Sequence, residues 1–285
     1  LYIVVRSGLP EHLKFLEQED YVTLLHGDLT DDSFCSELPC ADYIIHAAGY
    51  GQPARFSVDE AKTLKINTAA TFHLLDKCLP GGRFLFMSSS GIYNGLQKET
   101  FTEEDIGTTN TLHPRACYIE GKRCGEAICN AYRKKGVMAV AARLSYTYGP
   151  GVRKDDDRAL YAFIRRAIEE KQVYLLDGGS AERIYCYISD AIEMLWNVFL
   201  YGKTEIYNVA GIHKTTIREL AACIAAQEDV PLKVDAGKGS DGIKGNAPTE
   251  HVDIAKYLGE FSQKEFINID EGLSRTIQWI RAMYY

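Results

Sequence analysis

The sequence contains no Cys-x-x-Cys pair, no long apolar run and no excess of basic residues. Its eight cysteines lack the paired spacing of a zinc site, so we expect reduced core thiols and no bound metal. The formal net charge of -7 argues against nucleic acid or an anionic membrane as a partner. The charged run "RKDDDR" at 153–158 is expected to be solvated. With no transmembrane run or signal peptide visible, a cytoplasmic protein is the default expectation.

The composition is that of an ordinary globular protein. A chain of 285 residues, 46% hydrophobic and 25% charged, can bury a full core and has the length of about two domains. Strand-like segments lie at 1–6, 41–49, 83–89 and 137–143, and helical stretches at 9–19, 57–79 and 116–135. This alternation predicts βαβ crossovers and a parallel sheet. The unbroken apolar run "YIIHAA" fits a sheet that is covered on both faces.

The strict alternation fades where the first part of the chain ends. Helices and short strands then follow at 158–171, 172–176, 189–200, 205–209 and 215–226. A Gly-, Lys- and Asp-rich stretch at 235–248 predicts a surface loop, and Asp270 is a plausible N-cap of the last helix. We therefore expect an α/β protein with a doubly wound parallel-sheet domain at 1–150, to which 184–210 returns, and a smaller α/β part at 151–285.

Two local features carry possible chemistry. The strand "RFLFMSS" runs into a row of three serines, at the kind of strand end where α/β proteins bind ligands. Tyr118 and Lys122 lie four residues apart at the start of a predicted helix, so their side chains share one face. A nearby ammonium lowers the pKa of a phenol from about 10 and makes it a usable acid or base. With 18 tyrosines, such a pair can also arise by chance as a surface tyrosine stacked on a lysine stem.

The order of strand, serine row, Tyr-x-x-x-Lys helix and strand resembles the extended short-chain dehydrogenases/reductases. This branch acts on nucleotide-diphosphate sugars and includes epimerases, dehydratases, decarboxylases and 4-keto reductases. Further segments resemble its motifs in the right order: "HGDLTD" (26–31), "DYIIHAAG" (42–49), "INTAAT" (66–71), "ARLSYTYGPG" (142–151), "RIYCYISDAIE" (183–193) and "IYNVAG" (206–211). The resemblance spans almost the whole chain and implies an NAD(P)-binding Rossmann domain followed by a sugar-nucleotide-binding part.

The resemblance also implies roles for individual residues. Ser89, four residues before Tyr93 of the family's "vYG" motif, would hydrogen-bond the substrate oxygen and the Tyr118 phenol. Tyr118 would take the proton of the sugar hydroxyl, and Lys122 would hold the cofactor ribose. Substrate contacts are expected from Ser90, Gly91, Tyr93, Tyr146 and Arg183, the last as a diphosphate contact. Besides Tyr118 and Lys122, cofactor contacts are expected from Arg6, Ser7, Asp28, Leu29, His46, Ala47, Ala48, Gly49, Asn67 and Leu144.

The neighbours of Ser89 narrow the reaction that the resemblance implies. Family dehydratases carry an Asp–Glu pair where Ser90 and Gly91 stand, and decarboxylases place a glutamate at the position of Gly91. An epimerase or a 4-keto reductase is therefore favoured, although "YIEGKR" looks decarboxylase-like. Tyr146 replaces an asparagine that usually touches the substrate. A dehydratase, a decarboxylase and a non-catalytic dinucleotide-binding protein stay open as alternatives.

The glycine-rich turn with which this family binds the cofactor pyrophosphate is missing. The sequence starts at what resembles the second strand, so we expect that roughly 25 residues precede it in the natural protein. A chain without them would have an open sheet edge and a badly weakened cofactor site. Arg6 and Ser7 stand where an acidic residue would select NAD, which favours NADP. Members of this branch usually form homodimers through the Tyr-x-x-x-Lys helix and the helix before it, and we expect the same here.

Overall fold

A computed structural model describes residues 1–234, 251–263 and 265–285, so the predicted loop at 235–248 lies outside the described residues. The strands are β1 (Tyr2–Val5), β2 (Thr23–His26), β3 (Ala41–His46), β4 (Cys78–Ser89), β5 (Thr100–Phe101), β6 (Met138–Leu144), β7 (Tyr146–Tyr148), β8 (Val173–Leu175), β9 (Glu182–Tyr187), β10 (Ile206–Val209), β11 (Lys214–Thr216), β12 (Leu232–Val234) and β13 (His251–Val252). The helices are α1 (Asp32–Glu37), α2 (Pro53–Phe56), α3 (Glu60–Asn67), α4 (Ala69–Asp76), α5 (Ala116–Arg133), α6 (Ala159–Glu169), α7 (Ile188–Tyr201), α8 (Ile217–Gln227), α9 (Ala255–Glu260) and α10 (Ile269–Tyr284), with 3-10 helices at Glu11–Gln18 and Ser90–Tyr93.

The central sheet is parallel, which confirms the fold class expected from the sequence. Its strands pair in the order β10-β6-β4-β3. Strands β1 and β2 pair with each other, also parallel, in a separate two-stranded sheet. In the described part of the chain no strand pairs with the outer edge of β3, where Tyr43 is 62% exposed. The expectation that a first strand is missing from the sequence stays a prediction.

Both faces of the central sheet are covered, as its unbroken apolar strands predict. Phe84 and Phe86 of β4 lie in a core shared with α4 and α5, whereas the alternate residue Leu85 lies in a core shared with α7. Glycine lets α5 approach the sheet closely, because a Cβ on Gly125 would overlap the ring of Phe86. This packing brings the first turns of α5, which carry Tyr118, against the end of β4.

A second core lies in the C-terminal part of the chain. Helices α6, α8 and α10 bury one face each there, together with β8. Strands β7 and β9 pair in parallel beside the end of the central sheet, and β9 leads directly into α7. The division into two domains at about residue 150 stays a prediction.

Two local expectations differ from the structure. The stretch 57–79 forms two helices rather than one, because the backbone of Thr68 departs from helical geometry with ψ of -77° between α3 and α4. The last helix is capped by Asn268, whose side chain accepts a hydrogen bond from the backbone N–H of Glu271 at 3.0 Å. Asp270 instead lies within the first turn, where it accepts a hydrogen bond from Cys223.

Candidate active site

A cleft of about 820 Å³ opens at the carboxyl ends of β3, β4 and β6. In each case its wall begins with the residues at or just beyond the strand end: Ala47 to Gly49 after β3, Ser89 to Gly91 after β4, and Leu144 with Ser145 after β6. Open parallel sheets bind their ligands at this edge. The predicted site residues are therefore expected to line this cleft.

Of the serines in the row, Ser89 is the one that bonds Tyr118. Its hydroxyl hydrogen-bonds the Tyr118 side chain and also accepts the backbone N–H of Gly91 at 3.0 Å. Ser88 points into the interior, where its hydroxyl donates to Glu126 at 2.5 Å. Ser90 lines the cleft as the first residue of a 3-10 helix. Counting back from Tyr93 thus selects the serine that the fold places beside the phenol.

Lys122 lies one helical turn beyond Tyr118 and is almost fully buried. Its ammonium donates to the backbone oxygen of Met87 at 2.7 Å and lies 5.8 Å from the centre of the Tyr118 ring. Burial lowers the pKa of Lys122 to about 8, and the carboxylate of Glu126 opposes that shift. Lys122 is thus a buried cation that loses its proton more readily than an exposed lysine does, and it is fixed beside the tyrosine.

The phenol of Tyr118 is less acidic than the sequence suggested. Burial raises its pKa, because a buried phenolate loses its solvation, and the hydrogen bond from Ser89 and the charges of Arg115 and Arg158 only partly offset this. The ring of Phe56 stacks on Tyr118 at 4.8 Å between centroids and shields it from water. The expected lowering of this pKa by Lys122 is therefore wrong for the structure as it stands, because burial outweighs the nearby charges.

Of the arginines that the structure describes, three line the cleft, and the sequence analysis named only one of them as a site residue. The guanidinium of Arg183 lies 5.6 Å from the centre of the Tyr146 ring, and both side chains face the cleft. Arg115 lies close to the predicted catalytic residues Ser89, Tyr118 and Lys122, called the triad below. Its Nη2 atom is 3.7 Å from the position that a Cβ on Gly91 would occupy. Arg158 is paired with Asp156 at 2.7 Å. A cleft with these cations suits an anionic ligand.

Arg158 and Asp156 belong to the charged run at 153–158, and the expectation that this whole run is solvated is wrong. Asp156 is 3% exposed, and hydrogen bonds from Arg158 outweigh its burial and lower the pKa of its carboxyl group. The sequence of the run does not indicate that one of its pairs folds inward. Arg115 was missed because it lies in a loop, three residues before Tyr118, where no periodicity marks a side chain's direction.

The remaining predicted substrate residues also line the cleft, but they differ in whether they can contact a substrate. Gly91 leaves little room, because a Cβ there would lie 3.2 Å from the Ser89 hydroxyl and 3.3 Å from the Tyr118 ring. Tyr93 presents its ring to the cleft, but its hydroxyl donates to Asn208 at 2.6 Å in the core. Tyr93 can therefore shape the cleft but has no hydroxyl to offer a substrate.

The predicted cofactor residues divide into two groups. Ala47, Ala48, Gly49 and Leu144 line the cleft together with Tyr118 and Lys122. His46 and Asn67 are buried and do not line it, and Arg6, Ser7, Asp28 and Leu29 lie apart from it in the region of β1 and β2. The structure thus brings six of the twelve predicted cofactor residues together at the cleft. The other six stay predictions.

Two polar atoms lie close to Gly49 at the wall of the cleft. The Lys122 ammonium and the side-chain oxygen of Asn67 are 3.8 and 4.0 Å from an ideal Cβ position on Gly49. The Asn67 oxygen is buried and has no partner among the described residues, whereas Lys122 lines the cleft, where its ammonium can donate to a ribose hydroxyl. His46 packs beside them on Phe86, and burial together with the charge of Lys122 lowers its pKa to about 4. It is therefore neutral near pH 7.

Of the predicted cofactor residues near β1 and β2, Arg6 and Asp28 bind other side chains. The guanidinium of Arg6 donates to the hydroxyl of Tyr50 at 2.9 Å. The carboxylate of Asp28 pairs with Lys62 at 2.5 Å, and bonds from Lys62 and Thr30 outweigh burial and lower its pKa to about 2. Ser7 is exposed just beyond β1, and Leu29 is buried in the core.

Within the described ranges, no three His, Cys, Asp or Glu side chains come together as metal ligands. The cysteines are free thiols, but the expectation that all of them lie in the core is wrong for Cys40 and Cys124, which are exposed. Of the helices that the structure describes, none is both long and apolar enough to cross a membrane.

Comparison with known proteins decides the family. A model of the NAD dependent epimerase/dehydratase family matches residues 3–210. The chain belongs to this family. The resemblance inferred from the motifs is thereby confirmed.

Curated relatives of this family member are decarboxylases. UDP-glucuronic acid decarboxylase 1 of Danio rerio is 30% identical over 244 residues, which cover 84% of this chain and 57% of that protein. UDP-glucuronic acid decarboxylase 6 of Arabidopsis thaliana is 29% identical over 232 residues, 80% of this chain and 66% of that protein. The chain thus spans less than two thirds of the length of these two relatives.

Solved structures of the family share the fold at low identity. The UDP-glucose 4-epimerase of Thermotoga maritima with UDP-glucose has a TM-score of 0.81 at 20% identity, covering 100% of this chain and 91% of that one. The UDP-glucuronic acid 4-epimerase of Bacillus cereus with UDP-glucuronic acid and NAD has a TM-score of 0.80 at 21% identity, covering 95% and 85%. At these identities the likeness confirms the Rossmann-type fold. The NADP preference expected from Arg6 gains no support from the NAD complex.

Proposed function

We propose that the protein carries out NAD(P)-dependent oxidoreduction at C4 of a nucleotide-diphosphate sugar through a 4-keto species, as an epimerase or a 4-keto reductase. The observation that carries the proposal is the Ser89–Tyr118 hydrogen bond beside the buried ammonium of Lys122, at the carboxyl end of a parallel sheet. Membership of the epimerase/dehydratase family and the sugar nucleotides bound by its solved relatives support the substrate class.

The residues of the site divide the chemistry between them. Ser89 orients the substrate hydroxyl against the phenol. Tyr118 takes the proton of that hydroxyl, and the cationic side chains of Arg115 and Arg158 favour the phenolate that forms. Lys122 would hold the ribose of NAD(P), which when bound would accept a hydride from C4 and return it. Phe56 stacks on the Tyr118 ring and holds it in place.

The residues beside Ser89 favour a reaction without elimination. Ser90 and Gly91 carry no carboxyl group, so neither supplies a general acid or base for the loss of water. A glutamate at position 91 would also have to displace Ser89 or Tyr118, because even a Cβ there is in tight contact with both. The 4-keto sugar is then expected to be reduced again, either on the same face or on the opposite one.

A second candidate is decarboxylation of a nucleotide-linked uronic acid. The curated relatives are named for this reaction, and Arg115 supplies a cation next to the triad that can hold a sugar carboxylate. Oxidation at C4 turns a uronic acid into a β-keto acid. When its C5–C6 bond breaks, CO₂ leaves, the electron pair passes to C5 and the C4 oxygen, and C5 is then protonated. This loss of CO₂ does not by itself require a carboxyl group at position 91.

Product analysis separates the candidates. The protein is incubated with NAD or NADP and, in turn, UDP-glucose, UDP-galactose and UDP-glucuronic acid, and the products are identified by mass spectrometry and NMR. An isomer of unchanged mass, or a 4-keto sugar formed together with reduced cofactor as the reverse of a 4-keto reduction, supports the main proposal. A UDP-pentose that has lost CO₂ supports the second candidate. Tight cofactor binding without turnover would leave only the non-catalytic alternative.

Cofactor choice is proposed to depend on Arg6, the cation just beyond β1. If its guanidinium binds the 2′-phosphate, Arg6→Ala raises the KM for NADP about tenfold, as loss of one charge-assisted bond would. The KM for NAD should stay unchanged, which makes it the internal control. Equal effects on both cofactors, or none on either, would show that Arg6 does not select NADP.

We also propose a homodimer formed through α3, α4 and α5. Leu64 and Phe72 on α3 and α4 are 39% and 45% exposed, and Cys124 with Ala127 is exposed on α5. Phe72→Glu would place a charge in this apolar surface and should yield monomers in sedimentation analysis. Tyr201→Glu, on the exposed end of α7, is the control and should leave the assembly unchanged. A wild-type protein that is monomeric at every concentration would disprove the proposal.

A further inference from the structure

The end of β4 is fastened to α5 by more than the Ser89–Tyr118 hydrogen bond. The backbone oxygen of Met87 accepts from Lys122 at 2.7 Å, and the hydroxyl of Ser88 donates to Glu126 at 2.5 Å. Three successive strand residues, 87 to 89, thus bond three helix residues spaced four apart, which share one face of α5. Glu126 extends the Tyr-x-x-x-Lys pair by one further turn.

Glu126 is itself held by a buried cation. Arg143 on β6 donates to both oxygens of the Glu126 carboxylate, from Nε at 2.9 Å and from Nη2 at 2.8 Å. Its remaining nitrogen, Nη1, donates to the hydroxyl of Tyr93 and to the backbone oxygen of Glu103, at 2.9 Å each. The pair therefore ties α5 to β4, to β6 and to the segment that follows the 3-10 helix.

A buried ion pair of this kind is a poor source of stability. Desolvation of two charges cancels most of their attraction, and apolar or neutral replacements of both partners are often tolerated. Glu126 and Arg143 are 6% and 3% exposed, so this cost applies to them in full. The geometry instead gives the pair a definite position directly behind the catalytic residues.

We propose that Glu126 is a positioning residue of the active site, which fixes the end of β4 and the buried face of α5 in the register that brings Ser89, Tyr118 and Lys122 together. This inference rests on the proposed function, because it takes those three residues to be the ones that act on substrate and cofactor. Glu126 itself touches neither, since Ser88 and Arg143 enclose its carboxylate.

The charge of Glu126 also acts on Lys122, one turn away. Burial disfavours the Lys122 ammonium, and the Glu126 carboxylate is what raises its pKa again. The other titratable groups around it supply no anion, because His46 on β3 and Tyr118 on α5 are neutral near pH 7 and Arg143 on β6 is the cation paired with Glu126. Without Glu126, Lys122 should lose its proton at a lower pH.

The test compares the wild type with Glu126→Gln and with the double variant Glu126→Gln/Arg143→Gln, which removes both charges. Three quantities are measured: the thermal midpoint, the affinity for reduced cofactor from its fluorescence between pH 6 and pH 10, and kcat with KM. The single variant should lose stability, because Arg143 is left as an uncompensated buried cation, and the double variant should regain it. Both should lose kcat by about 10- to 100-fold, with little change in KM for the sugar nucleotide.

In both variants, cofactor affinity should also fall at a lower pH than in the wild type, since the ammonium that holds the ribose is lost earlier. A double variant that regains kcat and the wild-type pH dependence together with its thermal midpoint would overturn the inference and leave Glu126 a purely structural residue. Failure of the proposed function looks different, because the wild type would then turn over no sugar nucleotide at all. The pH dependence of cofactor binding still tests Glu126 in that case.

Discussion

Tyr118→Phe should lower kcat by about 10²- to 10⁴-fold, the contribution of a positioned general acid–base group. The substitution removes the base that we assign to the proton of the C4 hydroxyl as the hydride leaves. The substitution keeps the ring that stacks on Phe56, so substrate and cofactor affinity should change little. Steady-state kinetics on the accepted sugar nucleotide measures both effects.

The fold should survive this change. Ser89 loses one partner but still accepts the backbone N–H of Gly91, so the free energy of unfolding should fall by only about 1 kcal/mol. Tyr174→Phe, on β8 outside the cleft, is the matched control and should leave both kinetics and stability unchanged. Wild-type turnover by Tyr118→Phe would remove the tyrosine from the mechanism.

Lys122→Met should abolish cofactor binding and turnover while making the fold more stable at neutral pH. The pKa of Lys122 is lowered from 10.5 to about 8 because the ammonium is buried, so the wild type carries a disfavoured charge below pH 8. The unfolded chain binds more protons than the folded one between about pH 8 and 10.5, and wild-type stability should therefore rise with pH across that window.

Urea unfolding at pH 7 and at pH 10 checks this prediction. At pH 7 the methionine variant should exceed the wild type by a few kcal/mol at most, reduced by the lost bond to Met87, and the difference should shrink at pH 10. Lys233→Met, an exposed lysine on β12, is the control and should show neither effect. A variant that loses stability at pH 7 and still binds the cofactor would contradict the role given to Lys122.

Much of the fold follows from local pattern. Unbroken apolar strands separated by helical stretches imply a parallel sheet covered on both faces, and the structure places Phe84 and Leu85 in opposite cores as this requires. The division of the stretch 57–79 at Thr68 is not visible in the pattern, because both halves share the same apolar spacing. The N-cap at Asn268 could have been predicted, because Asn268 is followed three residues later by Glu271, a spacing typical of helix starts.

The sequence predicts a site residue where the spacing of a motif identifies it. It does not do so where the position depends on a loop or where a property depends on burial. Ser89 follows from its distance to Tyr93, and the fold explains the choice, because adjacent strand residues face opposite ways and Ser88 is turned to Glu126. Arg115 lies in a loop, so its approach to Gly91 depends on tertiary structure. The direction of the Tyr118 pKa shift was also hidden, since charge spacing can be read from a sequence but desolvation cannot.

Glu126 could have been found from its spacing. It repeats the four-residue step from Tyr118 to Lys122, and a carboxylate on the inner face of a helix needs a buried cation. The arginine that supplies it, Arg143, stands in the otherwise apolar strand β6, where a lone charge calls for a partner of opposite sign. The charges of Glu126 and Arg143, both at positions expected to be buried, thus indicate in the sequence that the two residues pair.

The central claim is that NAD(P) takes a hydride from C4 of a nucleotide-linked sugar while Tyr118, assisted by Ser89 and Lys122, takes the proton of the C4 hydroxyl. The most direct measurement uses UDP-sugars deuterated at C4 in a single turnover with NAD(P), with reduced nicotinamide followed by absorbance and the label located by NMR. The account predicts transient cofactor reduction that is slowed by the deuterium, with the label on the reduced cofactor or returned to C4, and none of this in Tyr118→Phe. A product formed without cofactor reduction, or with the same rate for both isotopes and for Tyr118→Phe, would contradict it.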